Sequence, residues 1–349
     1  MSETVLNPRA GAQETRLMRA ITRTKYGSPE VLQVQEIDKP VPDELRGVLV
    51  KVYASSVNPA DRYDVKPPLA IRLVSPLLRM GMGVRKPKQP GVGSDAAGRV
   101  EAISDNVTQF KAGDEVFGAV KNGYAEYGVA REGKLALKPA NISFEQAAAL
   151  PIAATTALQA IREKGNIKPG HKVLVNGAGG GVGTYAVQIA KALGGEVTAV
   201  TNTANLELVK SLGADYVIDY TKEDFAKNVE RYDLICDIAA SHSITEYKNI
   251  MNPNGIVVIV GIKTNIIRGL LYYLIVGRLR GRGDKKFRFF IANINQKDLA
   301  FLAELQASGK LRTVIGGRYS LNDTREAIRH LIRGVAQGKI VITVRPDSD

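Results

Sequence analysis

The run Val173-Leu174-Val175-Asn176-Gly177-Ala178-Gly179-Gly180-Gly181-Val182-Gly183 decides how this chain reads. Three β-branched or leucine residues meet five glycines in seven positions. Thr184 to Lys191 follows with apolar residues at helical spacing, so the stretch predicts strand, glycine turn and helix. Such a turn lets the first N–H groups of a helix approach a pyrophosphate. Gly177, Gly180, Gly181, Val182 and Gly183 are therefore candidate nucleotide-binding residues.

Outward from this turn the pattern alternates. Glu196–Thr201, Tyr216–Ile218, Leu234–Ile238 and Gly255–Val260 read as strands, with a helix over Leu206–Leu212. Nearly all-apolar strands alternating with helices predict a parallel sheet buried on both faces. Phe287–Ala292 reads as a last strand and Gln296–Ser308 as an amphipathic helix. Tyr319, Leu321, Ala327, Ile328 and Leu331 suggest a further helix, and Ile340–Val344 a closing strand. Before the turn the texture differs. Met18–Thr22, Leu32–Glu36, Val48–Ala54, Gly98–Ile103, Glu115–Gly118 and Tyr124–Val129 are short β-like runs separated by turn residues, which suggests a small barrel-like β domain. Phe144–Leu150 and Thr155–Glu163 are helical in pattern.

Composition narrows the chemistry. At 349 residues the chain suits two domains. One cysteine, Cys236, excludes an intramolecular disulfide framework and any multi-cysteine zinc site. The histidines are His171, His242 and His330. No apolar run reaches the roughly 18–20 residues of a spanning helix. Residues 1–17 lack an apolar signal core and read as a flexible extension, which gives a cytoplasmic expectation. The net charge of +13 is concentrated: 62–88 and 268–288 each hold seven basic residues against one acid. Solvated loops explain this, as does a field for an anionic ligand or membrane surface. No aromatic stacking or recognition-helix motif accompanies the charge, so nucleic acid is not expected.

The order of motifs resembles the medium-chain dehydrogenase/reductase superfamily in its zinc-free quinone oxidoreductase branch. The matching stretches are Ser55–Asp61, Gly93–Val100, Lys111–Gly118, Ala149–Leu158, the glycine turn and Leu212–Tyr220. The resemblance spans about residues 18–344. It implies an α/β chain with a GroES-like β-rich catalytic domain, 18–148 plus 310–349, and a Rossmann doubly wound domain over 149–309. The active site is then the cleft between them.

Zinc-dependent members of that superfamily use a Cys early in the chain and a His in Gly-His-Glu. The corresponding stretches here, Ser55–Asp61 and Gly93-Ser94-Asp95, supply neither thiolate nor imidazole. No metal site is expected, and conjugated acceptors, whose negative charge delocalises, suit such a cleft better than plain ketones. A carboxylate that would hold the ribose diol is missing from Thr201-Asn202-Thr203-Ala204-Asn205. That favours NADPH, with NADH as the alternative, and makes Asn202, Thr203 and Asn205 cofactor candidates. The resemblance adds Thr156 at the nicotinamide, Tyr220 at the adenosine phosphate, Lys339 reaching it from the C-terminal segment, and Gly261 beyond the strand Gly255–Val260. On the acceptor side it implies Asn58, with Asp61 and Tyr63 on the same wall. Asp61 reads equally as a turn cap and Tyr63 as a packing residue.

The expected function is an NADPH-dependent quinone or enone reductase acting on a small hydrophobic acceptor. The alternatives are an NAD(P)-linked alcohol dehydrogenase and a non-catalytic nucleotide-binding interaction protein. The apolar, basic segments 64–90 and 263–286 suggest a cationic-rimmed lid that touches anionic lipid, or subunit packing. A homodimer is implied by resemblance.

Overall fold

The computed structural model describes residues 17–42, 47–67, 86–88, 90–260, 284–334 and 336–346. The N-terminal region supplies β1 (Leu17–Thr22), β2 (Gln33–Asp38), β3 (Gly47–Val57), the short helix α1 (Asp61–Val65), β4 (Asp95–Ile103), β5 (Glu115–Ala119), β6 (Tyr127–Arg131) and β7 (Leu135–Leu137). Next come α2 (Phe144–Ala148) and α3 (Pro151–Leu158), which continues as a wider π turn over Gln159–Lys164. The nucleotide-type half holds β8 (Lys172–Asn176), α4 (Gly181–Ala192), β9 (Glu196–Thr201), α5 (Leu206–Ser211), β10 (Tyr216–Asp219), β11 (Tyr232–Asp237), α6 (Ile244–Asn249), β12 (Met251–Ile259), β13 (Lys286–Phe289) and α7 (Gln296–Ala307). The chain returns with β14 (Ile315–Ser320), α8 (Thr324–Arg333) and β15 (Lys339–Thr343).

The six strands of the second half pair in parallel in the order β10-β9-β8-β11-β12-β13. This is the doubly wound Rossmann order, in which the strand sequence reverses between β8 and β11. Val173, Leu174 and Val175 have no exposed surface, and neither do Leu234 and Ile235 or Val257 and Val258. Runs without a polar face are what a sheet covered by helices on both sides requires.

The other sheet runs β14-β15-β3-β4-β5-β7, with β6 also on β3. β15 lies antiparallel to β3, Ile340 opposite Val57, so strands from residues 315–343 complete the N-terminal sheet. One apolar core joins both halves. Tyr53 on β3 stacks on Phe144 of α2 with centroids 4.4 Å apart, and the cluster continues into Val173, Val175 and Tyr185.

Three readings shift. Tyr319 belongs to β14, not to a helix with Leu331; α8 begins only at Thr324. β6 starts at Tyr127, because Tyr124 is fully buried with its hydroxyl turned toward Asp61. The last strand of the parallel sheet stops at Phe289. Gly261, most of segment 64–90 and nearly all of 263–286 lie outside the described residues.

Candidate active site

The glycine turn is built as its spacing requires. Gly177 has φ +89°, a left-handed value that glycine adopts without steric cost, and its N–H and that of Ala178 both donate to Val200 O on β9. At Gly183 a Cβ would stand 2.1 Å from Gly177 O, so only glycine lets α4 pack this close to the strand. At Gly180 a Cβ would meet only Gly177 O, at 3.6 Å, which leaves the surface of the turn open. The N–H groups of Gly181, Val182 and Gly183 open α4, where a helix has no internal acceptors for them.

A cavity of about 390 Å³ opens at the C-terminal ends of β8 to β11. Of the sequence candidates Gly177, Gly180, Asn202, Asn205 and Tyr220 line it, together with Gly179, which was not singled out; Gly181, Val182 and Gly183 do not. The Oδ1 atoms of Asn202 and Asn205 are buried without a hydrogen-bond partner. Unsatisfied buried acceptors, an open glycine turn and free helix N–H groups fit a bound nucleotide. Thr203 turns away: its hydroxyl donates to Asp219 at 2.5 Å, and it does not line the cavity.

Sequence reasoning missed two carboxylates here. No acid follows β9, but the connection after β10 brings Glu223 and Asp224 to the cavity wall. Asp224 is bonded to His242 Nε2 at 3.0 Å, and its pKa is depressed in spite of some desolvation, chiefly by that hydrogen bond. The signal was the Glu223-Asp224 pair, separated from the strand-ending Asp219-Tyr220 only by Thr221-Lys222, in a loop that lines the cavity as the one after β9 does.

Lys339 does not line that cavity. Its side chain is 3% exposed, and its ammonium donates to Asn58 Oδ1 at 2.7 Å and Val57 O at 3.0 Å. Its Cδ would lie 3.1 Å from a Cβ at Gly181, so it sits between the glycine turn and the catalytic sheet. The expectation that it extends to the adenosine phosphate is thus corrected to a place beside Asn58. The next residue back, Gly338, donates its N–H to Gly179 O at 2.9 Å and ties the C-terminal strand to the turn.

Around Asn58 lies a buried polar cluster. Asn58 Nδ2 donates to Asp95 Oδ2 at 2.8 Å, and Ser56 Oγ donates to the same oxygen at 2.8 Å. Asp95 Oδ1 accepts the Ile152 N–H at 3.1 Å, which anchors the start of α3. Thr156, one turn on, donates its hydroxyl to Ile152 O at 2.6 Å. Lys339 Nζ stands 3.9 Å from Asp95 Oδ2. Burial pushes the Asp95 carboxyl up and the Lys339 ammonium down, and their mutual attraction opposes both shifts.

Asp61 forms the other half of the cluster. Its Oδ2 accepts the Asn58 N–H at 2.7 Å and the Tyr124 hydroxyl at 2.5 Å, while Oδ1 is buried without a partner. Desolvation raises its pKa to about 7. Asp61 is therefore a turn cap and a buried acid at once. Tyr63, on the same helix, is partly exposed, and among the described residues its hydroxyl has no hydrogen-bond partner. Ser56, Asp95 and Tyr124 were not singled out as site residues. Their signal was polarity at buried positions: Ser56 and Asp95 face each other in the β3–β4 register, inside otherwise apolar strands. Among the described residues no three His, Cys, Asp or Glu side chains come together as a metal site, and Cys236 is buried in β11.

A dinucleotide-type sheet, an open glycine turn and a second domain closing over it with buried Lys, Asn and Asp groups define a two-domain nicotinamide-dependent oxidoreductase. Comparison with known proteins agrees. Residues 44–144 match the alcohol dehydrogenase GroES-like domain, 147–244 the alanine dehydrogenase/PNT C-terminal domain and 212–342 a family described as zinc-binding dehydrogenase. The chain is 31% identical to human quinone oxidoreductase over 94% of its length and 98% of that protein. It is 34% identical to 2-methylene-furan-3-one reductase of Solanum lycopersicum, covering 93% of this chain and 79% of that one. The quinone oxidoreductase of Coxiella burnetii superposes with a TM-score of 0.82 at 27% identity, over 95% of this chain and all of that one. The chain belongs to the medium-chain dehydrogenase/reductase superfamily, among its quinone oxidoreductases.

Proposed function

We propose that this chain reduces quinones or α,β-unsaturated carbonyls with NADPH and without a metal at the acceptor. The observation that carries the reading is the make-up of the cluster where zinc-dependent relatives hold their metal. Asn58 and Asp95 spend their polar atoms on Lys339, Ser56 and Ile152, and no thiolate or imidazole stands among them. The human and tomato relatives, a quinone oxidoreductase and a 2-methylene-furan-3-one reductase, point the same way.

Bound NADPH supplies a hydride. The chain's residues do the rest. Gly177 to Gly183 and the first turn of α4 receive the pyrophosphate, and Asn202, Asn205 and Tyr220 hold the adenosine end, with Thr203 bracing Asp219 beside it. An amide offers both a donor and an acceptor, so the asparagines can meet a phosphate or a hydroxyl; the absence of an acid after β9 favours NADPH, and Glu223 and Asp224 on the cavity wall act against it. Lys339 has two of its three donors engaged by described residues. We assign the third to the nicotinamide half of the nucleotide, next to Thr156. Asn58 orients Lys339 and Asp61 orients the Asn58 turn. Tyr63 meets the acceptor oxygen, where delocalised charge accumulates and needs only a positioned hydrogen bond.

On this reading the nucleotide domain is 149–309 and the catalytic domain 18–148 with 310–349. The chain works as a cytoplasmic homodimer. The test is oxidation of NADPH and NADH against quinones, enones and simple ketones, with and without EDTA. Turnover confined to conjugated acceptors, faster with NADPH and indifferent to EDTA, is the expected result. Turnover of simple ketones that EDTA abolishes identifies an alcohol dehydrogenase instead.

A further inference from the structure

A second cavity, of about 310 Å³, opens in the catalytic domain. Arg23, Asp64, Lys88, Lys121 and Asn122 give it its polar lining, and Ser94 is part of its wall. Arg23 is 7% exposed. Its Nη1 donates to Gly91 O at 2.8 Å, and its Nη2 stands 3.9 Å from Asp64, too far for a hydrogen bond. Its Nε–H is buried and has no acceptor among the described residues. A guanidinium is charged at any physiological pH and presents five donors in a planar fork. Burying one with a single backbone acceptor and one distant carboxylate is costly unless an anion completes it. Lys88 and Lys121, both at the surface, add to the positive charge, and Asp64 is the one acid against three bases.

The cavity touches the reaction site through covalent neighbours. Asp64 shares α1 with Asp61 and Tyr63, Ser94 precedes Asp95, and Lys121 and Asn122 lead into Gly123 and Tyr124. The segments that wall the cavity are thus the ones that carry Asp61, Tyr63, Asp95 and Tyr124. We infer that the acceptor carries a carboxylate, and that Arg23, with Lys121 at the mouth, is the residue that selects for it. This rests on the reductase reading and names its substrate class: a conjugated carbonyl with an acidic tail, as opposed to a neutral quinone.

A matched pair decides it: an enone whose carboxylate is separated from the conjugated system by at least two methylenes, and its methyl ester, which share the reacting carbonyl and differ in the charge of the tail. The expected result is a kcat/KM at least tenfold higher for the acid. Arg23→Gln loses tenfold or more on the acid and stays within twofold on the ester, and Arg23→Lys recovers part of the loss, since an ammonium keeps the charge without the fork. Lys121→Ala, at an exposed position, lowers kcat/KM for the acid about threefold, and raised salt narrows the preference. Equal rates for acid and ester, or an equal loss on both in Arg23→Gln, overturn the inference. If neither compound turns over, the reductase reading fails, and the pocket is judged separately. The acid is then titrated into the NADP-bound protein: affinity that falls tenfold in Arg23→Gln supports the carboxylate site, and unchanged affinity overturns it.

Discussion

At the scale of single residues the cluster around Asn58 is the part of the molecule most sensitive to pH. Asp61 has Tyr124, the Asn58 N–H, Asp64, Asp95 and Lys339 around it, and burial outweighs the two hydrogen bonds it accepts. A carboxyl with a higher pKa in the folded chain than in the unfolded one binds its proton more tightly when folded. Its contribution to stability is therefore full below the unfolded value near 3.9 and is lost as pH rises to about 7, at a slope of at most about 1.4 kcal/mol per unit. Asp61→Asn removes that slope. Denaturant melts at pH 5 and pH 8 are expected to show the wild type losing more stability than the variant across this interval; parallel losses would mean that Asp61 is ionised throughout. The motif Ser55–Asp61 made Asn58 and Asp61 legible in the sequence. Their partners were not, because contacts 37 and 63 residues away depend on the β3–β4 register and on the inward turn of Tyr124. Arg23 escaped notice for the same reason: nothing local distinguishes a buried arginine from a solvated one.

At the scale of elements, the parallel strands were legible because burial on both faces writes itself into each strand as an apolar run. β14 was not. Ile315-Gly316-Gly317-Arg318-Tyr319-Ser320 has two glycines, alternates weakly, and sits at the edge of its sheet beside β15. Tyr319 then fell into step with the spacing of α8. Lys339 shows the other limit. Its type and position marked it as a ligand residue, but β15 pairing with β3 determined which way it faces. The entry to β15 is held by Gly338, whose φ is +66° and whose added Cβ would stand 2.4 Å from Val314 O. Gly338→Ala therefore strains the left-handed backbone, a cost of roughly 1–2 kcal/mol before any clash, and loosens the bond from Gly338 to Gly179 O. The expected outcome is a lower melting temperature together with weaker nucleotide binding, read by thermal denaturation and by titration with NADPH. A fall in stability with unchanged nucleotide affinity would separate the strand from the glycine turn.

For the whole molecule, the parallel sheet ends among the described residues in two edge strands, β10 and β13, and the second bears on assembly. Among the described residues β13 has a strand neighbour on one side only, β12, and beyond it Ile291 is 86% exposed. An open strand edge pairs readily with another copy unless something blunts it. The four residues of β13 alternate basic and aromatic, Lys286, Phe287, Arg288 and Phe289; Arg288 is tied to Lys164 O at 2.5 Å and both phenylalanines pack against the buried cluster around Leu174, Ile235 and Val257, so the backbone groups of β13 are what such an edge offers. Two sheets joined here would form one twelve-stranded sheet through a two-fold axis, an isologous contact that closes on itself. The chain is then expected to sediment at twice its 37.7 kDa mass. Ile291→Asp places a charge in the joined edge of both copies and is expected to raise the dimer dissociation constant tenfold or more, while NADPH affinity stays as it was, because the nucleotide cavity lies at the opposite end of the strand order, over β8 to β11. Sedimentation equilibrium of both proteins at micromolar concentration reads this directly. A monomer at every concentration would show that β13 ends the sheet, and a dimer indifferent to Ile291→Asp would move the contact to another face.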